Sequence, residues 1–145
     1  MILVSACLLG ENCKYSGGNN RREDVCRFLE GKEYVPFCPE QAGGLSTPRL
    51  PSERREDRVF SRDGEDVTAE FLLGAERTLA LCRREGVKFA ILKQGSPSCG
   101  SRYIYDGSFS GVKIPGEGVT AELLRKHGIR VVSEEEIAGQ KINDT

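Results

Sequence analysis

The sequence predicts a single α/β domain, residues 1–145, built on a mostly parallel sheet of about four to five strands. Short apolar runs rich in β-forming residues occur at 2–6, 34–37, 89–93 and 129–132. Each of the last three closely follows a helix-like segment that ends in glycine. Strands that alternate with helices in this way are typical of βαβ units, whose strands pair in parallel. The chain length also suits one domain, because domains usually contain about 100–200 residues.

The amino-terminal run "MILVSACLLG" is expected to form the buried first strand. It lacks the basic segment of a secretory signal and is shorter than the roughly 20 apolar residues of a membrane span. We therefore expect a cytoplasmic protein with reduced thiols, whose six cysteines are free, metal-bound or catalytic. The formal net charge of −1 provides no overall basic field, so neither polymeric nucleic acid nor a membrane is an expected partner.

Glycines mark the ends of three predicted helices. Gly31, Gly86 and Gly128 each follow a helix-like segment, at the position where the backbone often turns left-handed. The clearest helix lies within 67–85, because its apolar residues recur at helical spacing and leave a charged opposite face.

Threonine and serine indicate where the helices begin. The tetrapeptide "VTAE" at 67–70 and again at 119–122 precedes leucine-rich helical stretches, and its threonine and glutamate suit a capped first turn. Ser133 lies three residues before Glu136, which predicts a capping box at the start of a last helix.

Two long segments, 38–66 and 94–116, contain glycine and proline and are predicted to be loops. Loops of such length in a compact domain usually serve function. The functional residues are therefore expected there.

Three cysteines are expected to meet at one edge of the sheet. Cys7 follows the first predicted strand, Cys38 follows the second, and Cys99 lies in the loop after the third. The carboxyl ends of parallel strands share one edge, which is where open α/β sheets bind ligands. A set of thiolates favours soft metals, namely zinc, copper(I) or the iron of an iron–sulfur cluster.

The other cysteines have different expected roles. Cys26 and Cys82 lie inside amphipathic helices, where a thiol packs as a small hydrophobic group. Cys13 is near Cys7 in the first loop and is expected to be a fourth ligand, a resolving thiol or a loop cysteine.

The residues alone leave three functions open. The chain has no paired C-x-x-C knuckle and its one histidine, His127, falls at a helix end, so neither an ordinary structural zinc site nor a Ser-His-Asp or Cys-His arrangement is indicated. The candidates are a cluster protein, a thiol redox enzyme, and an α/β binding domain with incidental cysteines. The specific alternatives to a cluster enzyme are a non-catalytic iron–sulfur or zinc binding module and a thiol oxidoreductase that uses Cys7 and Cys13.

Four long motifs resemble the thiouracil desulfurase (desulfidase) family: "SACLLGENCKYSGG", "FCPEQAGGLSTPRLPSE", "LKQGSPSCGSRYIYDGSF" and "GEGVTAELLRKHGIRVVSE". Together they cover nearly the whole chain. The resemblance implies a single-domain, three-layer, flavodoxin- or Rossmann-like sandwich. It also implies a 4Fe-4S cluster held by Cys7, Cys38 and Cys99, with one iron left open.

The resemblance further implies a non-redox desulfidase, a C=S hydrolase or lyase. Its substrate would be a small thiolated pyrimidine, either thiouracil or thiouridine monophosphate. Hydrolysis would yield uracil or UMP and hydrogen sulfide. A thiocarbonyl sulfur is a soft donor that suits the open iron.

Two residues are the expected catalytic groups by motif position. Glu40, two residues after Cys38, would deprotonate the attacking water, although a loop glutamate can also be merely solvated. Ser96 would hydrogen-bond the substrate or relay a proton, with Ser98 and Ser101 as neighbours. The alternative is that these serines only satisfy the backbone of a turn.

Four arginines follow Cys38, namely Arg49, Arg54, Arg55 and Arg58. Arginine is well shaped for phosphate, but a solvated run of mixed charge is the commoner explanation. Ser16 stands where the family pattern leads us to expect aspartate, so a contact between that position and substrate would change the preference.

Overall fold

A computed structural model describes residues 1–139. The strands in this part of the chain are β1 (Ile2–Ser5), β2 (Tyr34–Phe37), β3 (Ser52–Arg55), β4 (Arg58–Ser61), β5 (Phe89–Leu92), β6 (Tyr103–Tyr105), β7 (Lys113–Pro115) and β8 (Arg130–Ser133). The helices are α1 (Glu23–Leu29), α2 (Pro39–Ala42), α3 (Thr68–Glu85), α4 (Val119–Lys126) and α5 (Glu134–Gly139). None of these helices is long and apolar enough to cross a membrane.

The central sheet has four parallel strands in the order β2-β1-β5-β8. Ile2 pairs with both Tyr34 and Phe89, so β1 lies between β2 and β5 in register. Counted along the chain, the strand order is 2-1-3-4, which is the start of the flavodoxin order 2-1-3-4-5. The predicted α/β class with a parallel sheet is confirmed.

Helices cover both faces of this sheet. On one face, Ile2 and Val4 pack with residues of α1 and α5. On the other face, Leu3 and Ala90 pack with residues of α3 and α4. Successive side chains of a strand point to opposite faces, and helices cover both faces of β1 and β5. The side chains of these two strands are therefore buried on both sides, and the strands read as continuous apolar runs.

The predicted helix ends are confirmed. Gly31, Gly86 and Gly128 have φ values of +75°, +69° and +81°, in the left-handed region that glycine adopts without steric cost. Each glycine therefore turns the chain out of a helix toward the next strand.

The predicted helix starts are only partly correct. The capping box is present, because the Glu136 N–H donates to Ser133 Oγ at 3.4 Å and the Ser133 N–H donates to Glu136 Oε1 at 3.3 Å. The threonine caps are wrong, since Thr68 is the first residue of α3 and its hydroxyl donates to Asp66 Oδ1 at 2.6 Å. Thr120 is likewise inside α4 and fully buried.

The two segments predicted as loops contain additional structure. Residues 38–66 include α2 and the antiparallel pair β3–β4, and residues 94–116 include the antiparallel pair β6–β7. These strands have only three or four residues each, and their buried residues are Val59, Ser61 and Ile104. So short a segment does not show the repeated alternation of apolar and polar residues by which strands are recognised.

Two glycines allow α2 to lie directly against α3. A Cβ atom on Gly74 would be 2.1 Å from the carbonyl oxygen of Pro39, and one on Gly43 would be 2.0 Å from the carbonyl oxygen of Glu70. Both contacts are with backbone, which cannot move aside as a flexible side chain would. The backbone of α2 is thereby fixed on a long helix.

We predict that Gly74→Ala destabilises the protein even though Gly74 lies within α3. Alanine in a helix usually stabilises by about 1 kcal/mol relative to glycine. Here the added methyl group forces α2 away, and overpacking of this kind costs about 1–3 kcal/mol. Urea unfolding followed by circular dichroism measures the change. Glu76→Ala, at an exposed position of the same helix, is the control and should change the free energy of unfolding by no more than about 0.5 kcal/mol. A Gly74→Ala protein as stable as the wild type would contradict the assigned contact.

Candidate active site

A cavity of about 470 Å³ lies at the carboxyl ends of β1, β2 and β5. The connection from β1 to β2 runs to one side of β1, and the connection from β2 to β5 runs back to the other side. The strand order therefore reverses at β1, which makes this edge a topological switch point. The cysteines that line the cavity are Cys7, Cys13, Cys38 and Cys99. The three cysteines expected to converge therefore face one space, and Cys13 joins them.

Cys13 lies between Cys7 and Cys38. Its thiol is hydrogen-bonded to both neighbours, which raises the pKa of Cys13 and keeps it protonated. The same hydrogen bonds lower the pKa of Cys7 and lower that of Cys38 to about 6. Cys7 and Cys38 are thus the two thiols most ready to ionise and to bind a metal.

Cys99 is in a different environment. It is buried, and burial raises the pKa of its thiol to about 12, although the hydroxyl of Ser98 donates to Cys99 Sγ at 3.4 Å. A cysteine so far from solvent ionises only when a cation binds beside it. The sulfur therefore suits a metal ligand better than a free nucleophile.

Each of the three sulfurs has a hydrogen-bond donor beside it. Asn20 Nδ2 donates to Cys7 Sγ at 3.4 Å, the backbone of Gln41 hydrogen-bonds Cys38, and Ser98 serves Cys99. Donors to ligand sulfur orient thiolates and tune a bound metal. Asn20 was not singled out from the sequence, and it lies 13 residues from its partner.

The donor set fits an iron–sulfur cluster better than a single ion. Within residues 1–139 there is no group of three or more His, Cys, Asp or Glu side chains arranged to hold one metal ion. His127 is exposed, its ring lies beside Arg83, and it does not line the cysteine cavity. The cavity lining instead offers cysteine sulfurs and no histidine, and cysteine thiolates are the ligands by which proteins hold iron–sulfur clusters.

The two helical cysteines lie apart from this cavity. Cys82 is buried in α3, and burial raises its pKa to about 11, as expected of a thiol packed as a hydrophobic group. Cys26 in α1 is only partly buried, so its packing role is weaker than predicted.

Glu40 lies on α2 with its carboxylate inside the cavity. Its Oε1 faces Arg49, whose Nε donates at 3.2 Å. Its Oε2 accepts from Ser98 Oγ at 3.1 Å and lies 3.4 Å from Ser96 Oγ. Glu40 is therefore held on both oxygens and is not simply solvated.

The serines divide their roles. Ser96 Oγ accepts the backbone N–H groups of Ser98 and Cys99, each at 3.1 Å, so it satisfies a turn as well as facing Glu40. Ser98 is buried and is closer to the carboxylate than Ser96 is. Ser101 lies further along and interacts with Gln94 at 3.4 Å. The structure thus confirms that Ser96 satisfies the backbone of a turn, and it places Ser98 nearer to Glu40 than the sequence indicated.

A buried glutamine shapes the loop that carries Cys99. Gln94 lies two residues after the end of β5 and is 2% exposed. Its Oε1 accepts the backbone N–H groups of Gly95, Ser101, Arg102 and Tyr103 at 3.1–3.3 Å. The loop therefore folds around the side-chain amide of Gln94. The sequence signal for this role is a polar residue shortly after an apolar strand.

Helix α5 holds the same loop from outside. Glu134 is 3% exposed, accepts the Gln94 N–H at 2.8 Å and lies 3.1 Å from Lys93 Nζ. Glu135 accepts from the Tyr103 hydroxyl at 2.5 Å, which contributes to a raised pKa of that phenol, and Glu136 pairs with Arg102 at 3.3 Å. The three consecutive glutamates thus attach successive parts of the loop.

The arginine run connects loops and strands of this chain. Arg54 pairs with Glu122 on α4, Arg58 pairs with Asp66, and Arg55 donates to the carbonyl of Gly107. Arg49 pairs with Glu40. Arg49, Arg54 and Arg55 are therefore engaged with other parts of this chain, whereas the Arg58 side chain is 57% exposed, as expected of a solvated charge.

Ser16 is exposed and does not line the cavity. Its hydroxyl accepts the N–H of Gly18 at 3.4 Å within a turn. The departure from the family pattern at this position therefore lies outside the cavity wall.

Comparison with known proteins extends these findings. The sequence pattern of the 2-thiouracil desulfurase family matches residues 2–136. The Bacillus subtilis (strain 168) uncharacterized protein YbbK is 46% identical over 147 residues, which cover 94% of this chain and 97% of that protein. A solved structure of a 4Fe-4S-dependent thiouracil desulfidase, TudS, is 52% identical with a TM-score of 0.87, covering 92% of this chain and 90% of the other. The matches include both the sheet and the loops that form the cavity.

We predict that iodoacetamide alkylates Cys38 of the metal-free protein with a midpoint near pH 6. The thiolate is the reacting form, so the rate should rise between about pH 5 and 7 and then level off. In Cys13→Ala, the loss of the hydrogen bond should raise the pKa of Cys38 and move the midpoint toward the value of about 8.5 of a free cysteine. Mass spectrometry of the alkylated peptides measures both rates. Cys82 is the internal control and should remain unmodified in the folded protein. An unchanged midpoint in Cys13→Ala would contradict the assigned hydrogen bond.

Proposed function

The chain belongs to the 2-thiouracil desulfurase family, and from this membership we propose that it is a 4Fe-4S-dependent desulfidase that hydrolyses the C=S bond of a thiolated pyrimidine. The products are the oxo-pyrimidine and hydrogen sulfide. The observation that carries the proposal is that Cys7, Cys38 and Cys99 line one cavity together with the carboxylate of Glu40.

Cys7, Cys38 and Cys99 are the proposed ligands of the cluster. Cys7 and Cys38 lie just after two neighbouring parallel strands, β1 and β2, and Cys99 lies in the loop that follows β5. Cys13 is left as a protonated neighbour that lies beside two of them, Cys7 and Cys38. When bound, a cluster held by three cysteines supplies an iron without a protein ligand, a Lewis acid that suits a thiocarbonyl sulfur.

Glu40 is the proposed general base. Its carboxylate lines the same cavity as the proposed ligands and can take a proton from the water that attacks the C=S carbon. Ser96 and Ser98 lie at Oε2 and orient this oxygen toward the cavity. Their hydroxyl groups, 3.0 Å apart, also offer a short path by which the proton can leave the base.

The cavity wall supports a flat heterocyclic substrate. Its aromatic residues are Tyr15, Phe37, Tyr103, Tyr105 and Phe109. Aromatic rings stack on bases of any sequence because every base has a π face. Lys14 and Arg62 line the same cavity, and a phosphate of thiouridine monophosphate would find its countercharge there. The proposed substrates are therefore thiouracil and thiouridine monophosphate.

The alternative functions have less support. A non-catalytic iron–sulfur or zinc module does not require a carboxylate held inside the cavity by three side chains. A thiol oxidoreductase that uses Cys7 and Cys13 does not require Cys38, Cys99 or Glu40. The similarity to a solved desulfidase at 52% identity also favours hydrolysis.

We predict that Cys7→Ser, Cys38→Ser and Cys99→Ser each abolish cluster uptake and sulfide release. The purified proteins are reconstituted anaerobically with iron and sulfide, and visible absorbance and iron content measure the cluster. Release of sulfide from thiouracil and thiouridine monophosphate measures activity. Cys82→Ser is the matched control, because its thiol packs inside α3, and it should keep both properties. A Cys99→Ser protein with normal iron content would contradict the proposed ligand set.

We predict that Glu40→Gln takes up a normal cluster but lowers kcat by about 100- to 10,000-fold, the range typical of a general base. Glutamine has nearly the same shape as glutamate but cannot accept the proton of water. Cluster absorbance and steady-state kinetics are measured on the same preparation. Wild-type activity in Glu40→Gln would exclude Glu40 as the base. Wild-type protein that carries a cluster but releases no sulfide would instead favour the binding module.

A further inference from the structure

We propose that Arg49 is the positioning residue for Glu40, holding Oε1 so that Oε2 alone faces the reacting water. The inference rests on the proposed role of Glu40 as the base. In this role Arg49, the first arginine of the run, supports the catalytic carboxylate and does not bind the substrate.

The guanidinium of Arg49 is buried and used on all sides. Its side chain is 8% exposed, and that of Glu40 is 17% exposed. Nε donates to Glu40 Oε1 at 3.2 Å, and Nη2 lies 3.2 Å from the same oxygen. Nη1 donates to the Ser46 carbonyl at 3.1 Å and to Thr47 Oγ1 at 2.9 Å, and Nη2 donates to the Cys13 carbonyl at 3.0 Å. The fork therefore has no donor left for a phosphate.

These contacts make the position of Glu40 depend on two separate loops. Arg49 lies nine residues from Glu40 and 36 residues from Cys13, and its own N–H donates to the Tyr15 carbonyl at 2.7 Å. The ion pair is thus attached to the backbone of Cys13 and Tyr15, which precede α2 in the chain, and to that of Ser46, which follows it. Nε and Nη2 both contact the single oxygen Oε1, and a planar fork that is itself fixed at three other points holds this oxygen in place.

The arrangement also divides the two oxygens of Glu40 between different tasks. Oε1 faces the positively charged guanidinium of Arg49 and is contacted by two of its nitrogens, so it is poorly suited to take up a proton. Oε2 faces two hydroxyl groups that can rearrange their hydrogen bonds. Proton transfer is therefore directed to Oε2, and loss of Arg49 would let the carboxylate rotate away from the reacting water.

A double-mutant cycle tests this role. Arg49→Met should lower kcat by about 10- to 100-fold with little change in KM, because misplacement of a catalytic group by about 1 Å costs roughly that much. In the Glu40→Gln background, the same change should cause almost no further loss, since groups that act as one unit are not additive. Arg49→Lys should recover part of kcat. Equal losses in both backgrounds, or an effect on KM alone, would overturn the proposal.

Arg58→Met is the matched control. Arg58 also forms an ion pair with a carboxylate, that of Asp66, but the guanidinium is 57% exposed and the pair lies outside the cavity lining. The expected kcat is that of the wild type. A loss comparable to that of Arg49→Met would mean that any arginine pair acts through general stability, and the positioning role would be overturned.

A spectroscopic measurement separates this inference from the proposed function. In 15N-labelled wild-type protein, the Nε–H of Arg49, assigned through its loss in Arg49→Lys, should exchange slowly with water. In Glu40→Gln the signal should shift and exchange faster. A rapidly exchanging Arg49 Nε–H in the wild type would overturn the positioning role whatever the activity. A protected signal in a protein that releases no sulfide would overturn the proposed function instead.

Discussion

The parallel pairing of β1 with both β2 and β5 is the constraint on which the site depends. The pairing places the ends of these strands side by side, so residues that directly follow them meet without any long excursion of the chain. Burial of the sheet on both faces makes its register costly to change, because a shift by one residue would exchange the two faces. The separation of Cys7 from Cys38 is therefore set by a rigid hydrogen-bonded frame, while Cys99 depends on a loop folded around Gln94.

The fold could be predicted well where burial leaves a pattern in the sequence. The four strands of the central sheet and the helices ending before Gly31, Gly86 and Gly128 occupy the expected segments. The pairs β3–β4 and β6–β7 were missed because each strand has only three or four residues, too few for a periodic pattern to distinguish it from a loop. Thr68 illustrates a further limit, since a neighbouring aspartate and a strand backbone, rather than its own helix, determined where its hydroxyl points.

The candidate site could be predicted in its cysteines and in Glu40, because their positions after strands and within long motifs are visible along the chain. The residues that support them could not. Arg49 and Asn20 act through partners that are distant in sequence, and polar residues in a loop look alike until the fold brings those partners close. Arginines near a suspected ligand site are easily interpreted as ligand-binding residues. Most arginines of this run instead contact other residues of this chain.

The attachment of the Cys99 loop to α5 has a consequence for the order of events during folding. Glu134, Glu135 and Glu136 follow the last strand of the central sheet, yet they hold the backbone and side chains of residues 93–103. A chain whose sheet has formed but whose α5 has not docked already has every cysteine in place along the sequence and still lacks these anchors. The receptacle therefore reaches its working shape only when α5 docks.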